Sequence, residues 1–297
     1  MAVSLDPLRP ANLVAGWLAG LLAALSTPLL AAAGQGIGAL LGGCTWIGIT
    51  VPLDRQVWAL VNEPTLDFAA SGAAWGYWLG SLVLPALLGL AAIPLVPRPR
   101  TVAAELLMAH LAWNLTLVGL SWIPLLEPGD GHLVRFLQFR HLPPELVYLP
   151  AAGAVVGCLA ATLRVLALAR AAGPGAGRLV RLAVVLFHLA PPTILYAAVG
   201  VALGGSLPLR ALFAALVPVL AALGLAWSGF PRPWVFPLEP PTPGTVVRLA
   251  AAILVAGALL WAAGRPVEHG GRAALLWGTP GAHDNIRAWV RPVPLLP

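Results

Sequence analysis

The chain has 297 residues, of which 59% are hydrophobic and only 9% are charged, and its formal net charge is +6. Soluble domains carry about 25% charged residues, so this chain lacks the polar surface that a soluble globule needs. A disordered chain, a coiled coil and a cytosolic enzyme fold are therefore excluded, and an integral membrane protein remains.

Seven apolar stretches predict membrane-spanning helices, because about 20 apolar residues cross a hydrocarbon core of about 30 Å. The runs are continuous and rich in Ala and Leu, without the alternation that is typical of a membrane β-barrel. The predicted fold class is all-α, a polytopic transmembrane bundle of about seven spans. The stretches are residues 12–33, 72–96, 102–126, 147–170, 180–203, 208–228 and 247–263.

The first apolar run, residues 12–51, is too long for one span and contains no charged residue. It predicts one helix and then a Gly-rich segment, residues 34–51, that either spans or re-enters the membrane. Small residues recur here at a spacing of four, which allows helices to approach closely, and close packing is the simplest interpretation. The spaced pairs are Gly16 with Gly20 and Gly34 with Gly38.

Three segments between or after the spans are predicted to lie at the membrane surface. Residues 52–71 form a loop with four charged side chains. Residues 132–141 follow a Glu-Pro-Gly-Asp-Gly turn and place apolar side chains on one helical face, which predicts a short interfacial helix. Residues 264–297 are polar and form an extramembrane tail behind the transmembrane domain of residues 1–263, on the surface or on a neighbouring protein.

The arginines predict orientation and not nucleic-acid binding. All 17 basic residues are arginines, placed singly or in pairs between apolar stretches, whereas a protein that follows a phosphate backbone needs longer basic runs. The side with more arginines is expected to be cytoplasmic, which puts the N-terminus inside and the tail outside. That side carries Arg9, Arg98, Arg100, Arg164, Arg170, Arg178, Arg181 and Arg232, and the other side's loops carry Arg55, Arg135, Arg140 and Arg210.

The absence of lysine, beside abundant Ala, Gly, Pro and Arg, is typical of a GC-rich bacterial genome. Together with the multi-pass topology, it predicts the bacterial inner membrane as the location.

Ionisable residues inside a span are costly, which makes them candidates for function. The predicted intramembrane polar cluster consists of Glu105, His110, Asn114 and His188. His110 and Asn114 share a helix face, and Glu105 lies partly off it. One interpretation is a proton or ion path. The other is structural: His110 and Asn114 bond neighbouring helices, and His188, which precedes a Pro-Pro pair, bonds a backbone carbonyl that the prolines release.

No cofactor or metal is predicted. Ligation of haem or a chlorin by His110 or His188 is left as an alternative, although no second histidine has a spacing that argues for it. A zinc site needs three or four converging ligands, and the metal-capable groups outside the spans do not supply them. These groups are His132, His141, Glu145, His269 and His283. The two cysteines, Cys44 and Cys158, are interpreted as small buried hydrophobes.

The order of features in residues 30–131 resembles the site-2-protease-like intramembrane zinc metallopeptidases. Residues 30–43, which include Gly34-Gln35-Gly36-Ile37-Gly38, have the frame of that family's helical His-Glu-x-x-His motif. Residues 46–52 correspond to a strand-like stretch. Residues 124–131, which end in Gly129-Asp130-Gly131, resemble the later turn whose aspartate is the third zinc ligand.

The chain departs from that family's pattern at the residues that catalysis needs. Gly34 and Gly38 stand at the positions of the zinc-binding histidines, and Gln35 stands at the position of the glutamate that activates water. Gly129 replaces a leucine. Only Asp130 remains, and one carboxylate does not hold zinc. The resemblance therefore implies a proteolytically inactive pseudo-peptidase.

These observations predict a non-catalytic integral membrane subunit, scaffold or assembly factor of a larger complex. Its partners would be the lipid bilayer and other membrane subunits, with no nucleic acid. Two alternatives stay open. One is a transporter or channel with a path near Glu105, His110 and His188. The other is a membrane-embedded enzyme, either metalloprotease-like or lipid-modifying at the 127–146 loop.

Overall fold

The structure, a computed structural model, is mostly helical. It describes residues 6–50, 58–62, 100–121, 149–171, 177–202, 209–228, 238–263, 266–267 and 272–276, with Gly76, Leu79, Gly80, Val83, Leu84, Leu87, Pro143 and Glu145 as single positions.

The helices fall on the stretches that hydropathy predicts. Six have defined bounds: α1 Pro10–Leu41, α2 Val102–Ser121, α3 Leu149–Ala171, α4 Arg178–Ala202, α5 Leu209–Ser228 and α6 Pro243–Ala263. Residues 76, 79, 80, 83, 84 and 87 are also helical, and we call them the Gly80 segment. They lie within the predicted stretch 72–96.

Four helices of the described chain are long and apolar enough to cross a membrane. The prediction of a helical membrane protein with several spans is therefore supported by length and composition. These helices comprise Pro10–Leu41, Ala152–Ala169, Arg178–Leu195 and Pro243–Ala262. The predicted interfacial helix at 132–141 lies outside the described residues.

Local sequence explains where α1 begins and ends. Pro10 occupies its first turn, where a missing N–H costs nothing. At the other end Gly43 has φ +91°, a conformation that favours glycine. The Cys44 N–H then donates to the Ala39 carbonyl and the Gly43 N–H to the Leu40 carbonyl. This is the Schellman arrangement that closes a helix.

The prediction for residues 34–51 needs a correction. Residues 34–41 do not form a separate segment, because they continue α1, which is 32 residues long. At 1.5 Å per residue α1 extends about 48 Å, well beyond the hydrocarbon core. Thr45–Thr50 then forms a strand, at the place where the resemblance implies a strand-like stretch.

Short strands make the all-α prediction too narrow. The strands are β1 Thr45–Thr50, β2 Trp58–Asn62, β3 Arg100–Thr101, β4 Leu238–Glu239, β5 Pro266–Val267 and β6 Arg272–Leu276. One sheet has the antiparallel order β2-β1-β6-β5, and β3 pairs with β4 in parallel. Part of the predicted tail is therefore bound to β1. Hydropathy misses such elements because they are only two to six residues long.

Two small apolar clusters show how the helices run. Ala15, Ala103 and Leu249, from the first turns of α1, α2 and α6, pack together. Ala32 near the end of α1 and Leu260 near the end of α6 pack with Ile49 of β1. The helices α1, α2 and α6 therefore begin at one end of the bundle, which we call the start end. The sheet lies at the opposite end, the sheet end.

Candidate functional site

Two histidines of the predicted cluster meet on α1. His110 of α2 and His188 of α4 are 1% and 0% exposed. The Nε2–H of His110 donates to the Gly16 carbonyl at 2.9 Å, and the Nε2–H of His188 donates to the Pro7 carbonyl at 3.1 Å. Because a carbonyl only accepts, each neutral ring carries its proton on Nε2. Both bonds hold the start of α1 against the bundle.

Gly16 is the point at which the two rings come together. Its carbonyl accepts the bond from His110, and a Cβ at this position would lie 2.8 Å from Nδ1 of His188. It would also lie 3.2 Å from Cδ1 of Leu106. A glycine is required because any side chain would occupy the space of the His188 ring. The four-residue spacing identified Gly16 as a packing position, and the histidines are what pack there.

Replacing Gly16 by alanine is expected to lower the free energy of unfolding by about 1–3 kcal/mol, the usual cost of overpacking. The new methyl group would displace the His188 ring and weaken its bond to Pro7. Thermal unfolding in detergent measures the loss. In a His188→Ala background the same substitution should cost less than about 1 kcal/mol, because the clash is gone. Equal costs in both backgrounds would contradict the contact.

Glu105 lies in a different contact, an ion pair with Arg164 of α3. Nη1 of Arg164 donates to Oε2 of Glu105, and the two side chains are 7% and 3% exposed. Buried charges need such partners, because removing one partner leaves an uncompensated charge in a medium of low dielectric constant. The ion pair joins α2 and α3 five residues before His110.

Arg164 is buried inside α3, seven residues before the helix ends at Ala171. The sequence analysis counted it among the arginines of the cytoplasmic side, and that assignment stays a prediction. The sequence contained a signal for this ion pair. Arg164 lies within the predicted stretch 147–170, and Glu105 is an acidic residue of another predicted span. Two opposite charges in two spans predict an ion pair.

Asn114 is buried on α2, one turn after His110. This agrees with the prediction that the two residues share a face. Its Nδ2 has no hydrogen-bond partner among the described residues, and the same holds for Nδ1 of His110 and of His188. The structure thus brings the two histidines together around Gly16, places Asn114 beyond them, and pairs Glu105 with α3.

The Pro-Pro pair of α4 releases a carbonyl for a neighbouring helix. Pro191 lacks an N–H, so the carbonyl four residues earlier, that of Phe187, loses its helical donor. The Nε1–H of Trp17 donates to this carbonyl at 3.1 Å. The sequence predicted that His188 would bond such a carbonyl. The structure gives that role to Trp17, while His188 bonds the chain that precedes α1.

Glycines contact one another at the positions that resemble the metallopeptidase motif. Gly34 and Gly38 of α1 face Gly80 and Gly76, in antiparallel order. A Cβ on any of the four would come within 3.0 Å of the facing glycine's backbone carbonyl, a distance that real Cβ atoms essentially never show. No histidine side chain fits at these two positions. The interpretation of this spacing as close packing is therefore confirmed.

The structure describes Gln35 and Gly36 of the same sequence frame. Gln35, which follows Gly34, is buried. Gly36 lies directly under the ring of Trp46 from β1, whose Nε1–H donates to the Gly48 carbonyl at 2.8 Å. Asp130 lies outside the described residues. The first motif is thus covered on two sides, by a helix and by a tryptophan.

Across the part of the chain that the structure describes, no three His, Cys, Asp or Glu side chains are grouped so that they could hold a metal ion. His132, His141, His269 and His283 lie outside that part. Cys44 and Cys158 are both buried, in agreement with their interpretation as small hydrophobes. Ligation of haem or a chlorin by His110 or His188 stays an untested alternative.

Comparison of the chain with models of known protein families, with curated proteins and with solved structures finds no match.

Proposed function

We propose that this protein is a non-catalytic subunit, scaffold or assembly factor of a larger complex in the bacterial inner membrane. The observation that carries the proposal is the contact of Gly34 and Gly38 with the Gly80 segment. At the positions where the resembled metallopeptidases have zinc-binding histidines, this chain has backbone against backbone. That leaves no volume for a ligand side chain or a metal ion.

The polar cluster supports the same proposal, because its bonds hold helices together. His110 bonds the Gly16 carbonyl of α1, and Glu105 pairs with Arg164 of α3. Buried polar side chains of membrane bundles commonly serve such helix-to-helix bonds. We therefore interpret the cluster as structural.

A topology of seven alternating spans fits the contacts. Gly34 pairs with Gly80 and Gly38 with Gly76, so the Gly80 segment runs opposite to α1. Glu105 near the start of α2 meets Arg164 in the second half of α3. Gly157 in the first half of α3 packs against Thr116 in the second half of α2. The α3 helix therefore runs opposite to α2.

The last three helices continue the alternation. Arg178 at the start of α4 contacts Trp227 at the end of α5, and α6 runs parallel to α1. This arrangement supports the proposal that the N-terminus and the tail lie on opposite sides of the membrane. The positive-inside rule then places the start end, and with it the N-terminus, in the cytoplasm.

Purification in mild detergent from its native bacterial membrane tests the proposal. We expect the tagged full-length chain to co-elute in size exclusion with at least one other membrane protein at constant stoichiometry. An unrelated multi-pass protein carrying the same tag controls for non-specific capture. A monodisperse monomer without co-eluting proteins would contradict the proposal.

The two alternatives predict different results for the purified protein. Stoichiometric zinc that is lost in Asp130→Ala would favour a metalloprotease-like enzyme. Proton or ion flux in liposomes that is lost in His110→Ala would favour a transporter. Under our proposal no stoichiometric zinc is bound, and flux does not differ between the wild type and His110→Ala.

A further inference from the structure

Two arginines at the start of α4 are held against the end of α5. The guanidinium carbon of Arg178 lies 5.2 Å from the centroid of the Trp227 ring, a cation–π distance. The Nε–H of Arg181 donates to the Ala226 carbonyl at 3.0 Å. Residues three apart share a helix face, so both side chains are directed to the same place. Their positions are set by two neighbouring residues of α5.

No carboxylate neutralises this pair of arginines within the described part of the chain. Residues 146–238 contain six arginines and neither Asp nor Glu. The buried carboxylate of the adjacent bundle, Glu105, is in an ion pair with Arg164. The first turn of α4 contains no acidic residue, and its unbonded N–H groups add positive potential. Among the described residues, the positive charge at the α4–α5 end is therefore not compensated by an ion pair.

The same place is the end of two apolar helices. Arg178 is the first residue of the candidate span Arg178–Leu195, and the apolar helix Leu216–Ser228 ends beside it. Trp227 is 54% exposed. Arginine and tryptophan at the end of a span are typical of the interface between the hydrocarbon core and water. The anions that are concentrated in that layer are headgroup phosphates.

We propose that Arg178, Arg181 and Trp227 form a binding site for the phosphate of an anionic phospholipid headgroup. The ring of Trp227 orients the guanidinium of Arg178. Arg181 uses Nε on the Ala226 carbonyl, which directs its two Nη groups toward the phosphate. Charged hydrogen bonds from a guanidinium suit a phosphate in geometry and strength. The site requires only that α4 and α5 end at the membrane surface, so it does not depend on the proposed scaffold role.

Lipid binding to the purified full-length protein tests the site. Native mass spectrometry in detergent compares dioleoylphosphatidylglycerol with dioleoylphosphatidylcholine for the wild type and for R178Q/R181Q. We expect affinity for phosphatidylglycerol to fall roughly 10- to 30-fold in the double variant, because the charged hydrogen bonds of both guanidinium groups to the phosphate are lost. Trp227→Leu should weaken binding about two- to five-fold.

Arg248 supplies the matched control. It is exposed in the first turns of α6, also at the start end, and its Nε–H donates to the Gly244 carbonyl of its own helix at 3.2 Å. We expect R248Q to bind phosphatidylglycerol as the wild type does. Equal losses in R248Q and R178Q/R181Q would show diffuse attraction and overturn the proposal.

Two other outcomes also overturn the site. Equal affinity of the wild type for the two lipids would remove the headgroup preference. Displacement of bound phosphatidylglycerol by an equal concentration of inorganic phosphate would assign the arginines to a free anion. If R178Q/R181Q does not fold, as judged by its thermal midpoint, Trp227→Leu decides: unchanged affinity in that variant overturns the proposal.

Discussion

Replacing Gly38 by alanine is expected to destabilise the protein by about 3 kcal/mol or more, at the upper end for overpacked sites. The added Cβ would meet the backbone of Gly76, which cannot rotate away as a side chain can. Relief requires α1 and the Gly80 segment to separate, and this would disturb the neighbouring contact of Gly34 with Gly80. The thermal midpoint of the purified protein in detergent measures the effect.

Gly224 of α5 and Gly257 of α6 supply matched controls for Gly38. A Cβ built on either residue has no heavy atom within 4 Å. Alanine there should stabilise the helix by about 0.4–1 kcal/mol, because it restricts the unfolded chain. Similar thermal midpoints for Gly38→Ala and Gly257→Ala would contradict the glycine contact, and with it the main support for the proposed function.

Neutralising Glu105 is expected to cost about 3–5 kcal/mol, because Glu105→Gln leaves the charge of Arg164 buried without its counter-ion. Arg164→Met should cost a similar amount, since it leaves the Glu105 carboxylate buried. The double variant Glu105→Leu/Arg164→Met removes both charges. It is expected to be close to wild type in stability, as found when apolar residues replace buried ion pairs.

A double-mutant cycle from unfolding free energies measures the coupling between Glu105 and Arg164. Glu239→Gln is the control, because Glu239 of β4 is exposed and its charge is solvated. A cost below about 1 kcal/mol for Glu105→Gln would show an ordinary exposed pair. That result would contradict the burial of the ion pair.

The helices were predictable because a membrane span needs little more than length and apolar composition. The stretch 102–126 contains α2, and 247–263 lies within α6. The first stretch was predicted to end at residue 33 because the apolar run of residues 12–51 is too long for one span. In the structure, Gly34 and Gly38 pack against Gly80 and Gly76, and α1 stays helical as far as Leu41. Contacts between glycines that are distant in sequence cannot be predicted from the composition of one helix.

The site was predictable only in part. The spacing of His110 and Asn114 placed both on the buried face of α2, and the cost of buried charge singled out Glu105. The partners of His110 and Glu105 came from other elements: a backbone carbonyl at Gly16 and an arginine that had been counted with the cytoplasmic side. Backbone acceptors leave no signature in residue types. The role of Arg164 could be predicted only from the need of the buried Glu105 for a cation as its partner.

Strand β6 was missed for a different reason. Its sequence, Arg272-Ala-Ala-Leu-Leu276, consists of residues that favour helix, without the β-branched residues that are typical of strands. Strand β1 pairs with β2 along one edge, and its other edge offers backbone hydrogen bonds to β6. These bonds determine the conformation of β6. Strand structure that comes from a partner's edge cannot be derived from local propensity.

The pairing of β1 with β6 also determines when in synthesis the sheet can finish folding. Gly48 pairs with Leu276, so the strand that follows the first helix must wait for a segment that the ribosome delivers after α6. During synthesis that edge of β1 is open to any other extended chain. Closing so long a loop is slow. Folding therefore finishes only after the helices have been inserted, and removal of residues 272–276 would leave a permanently exposed edge.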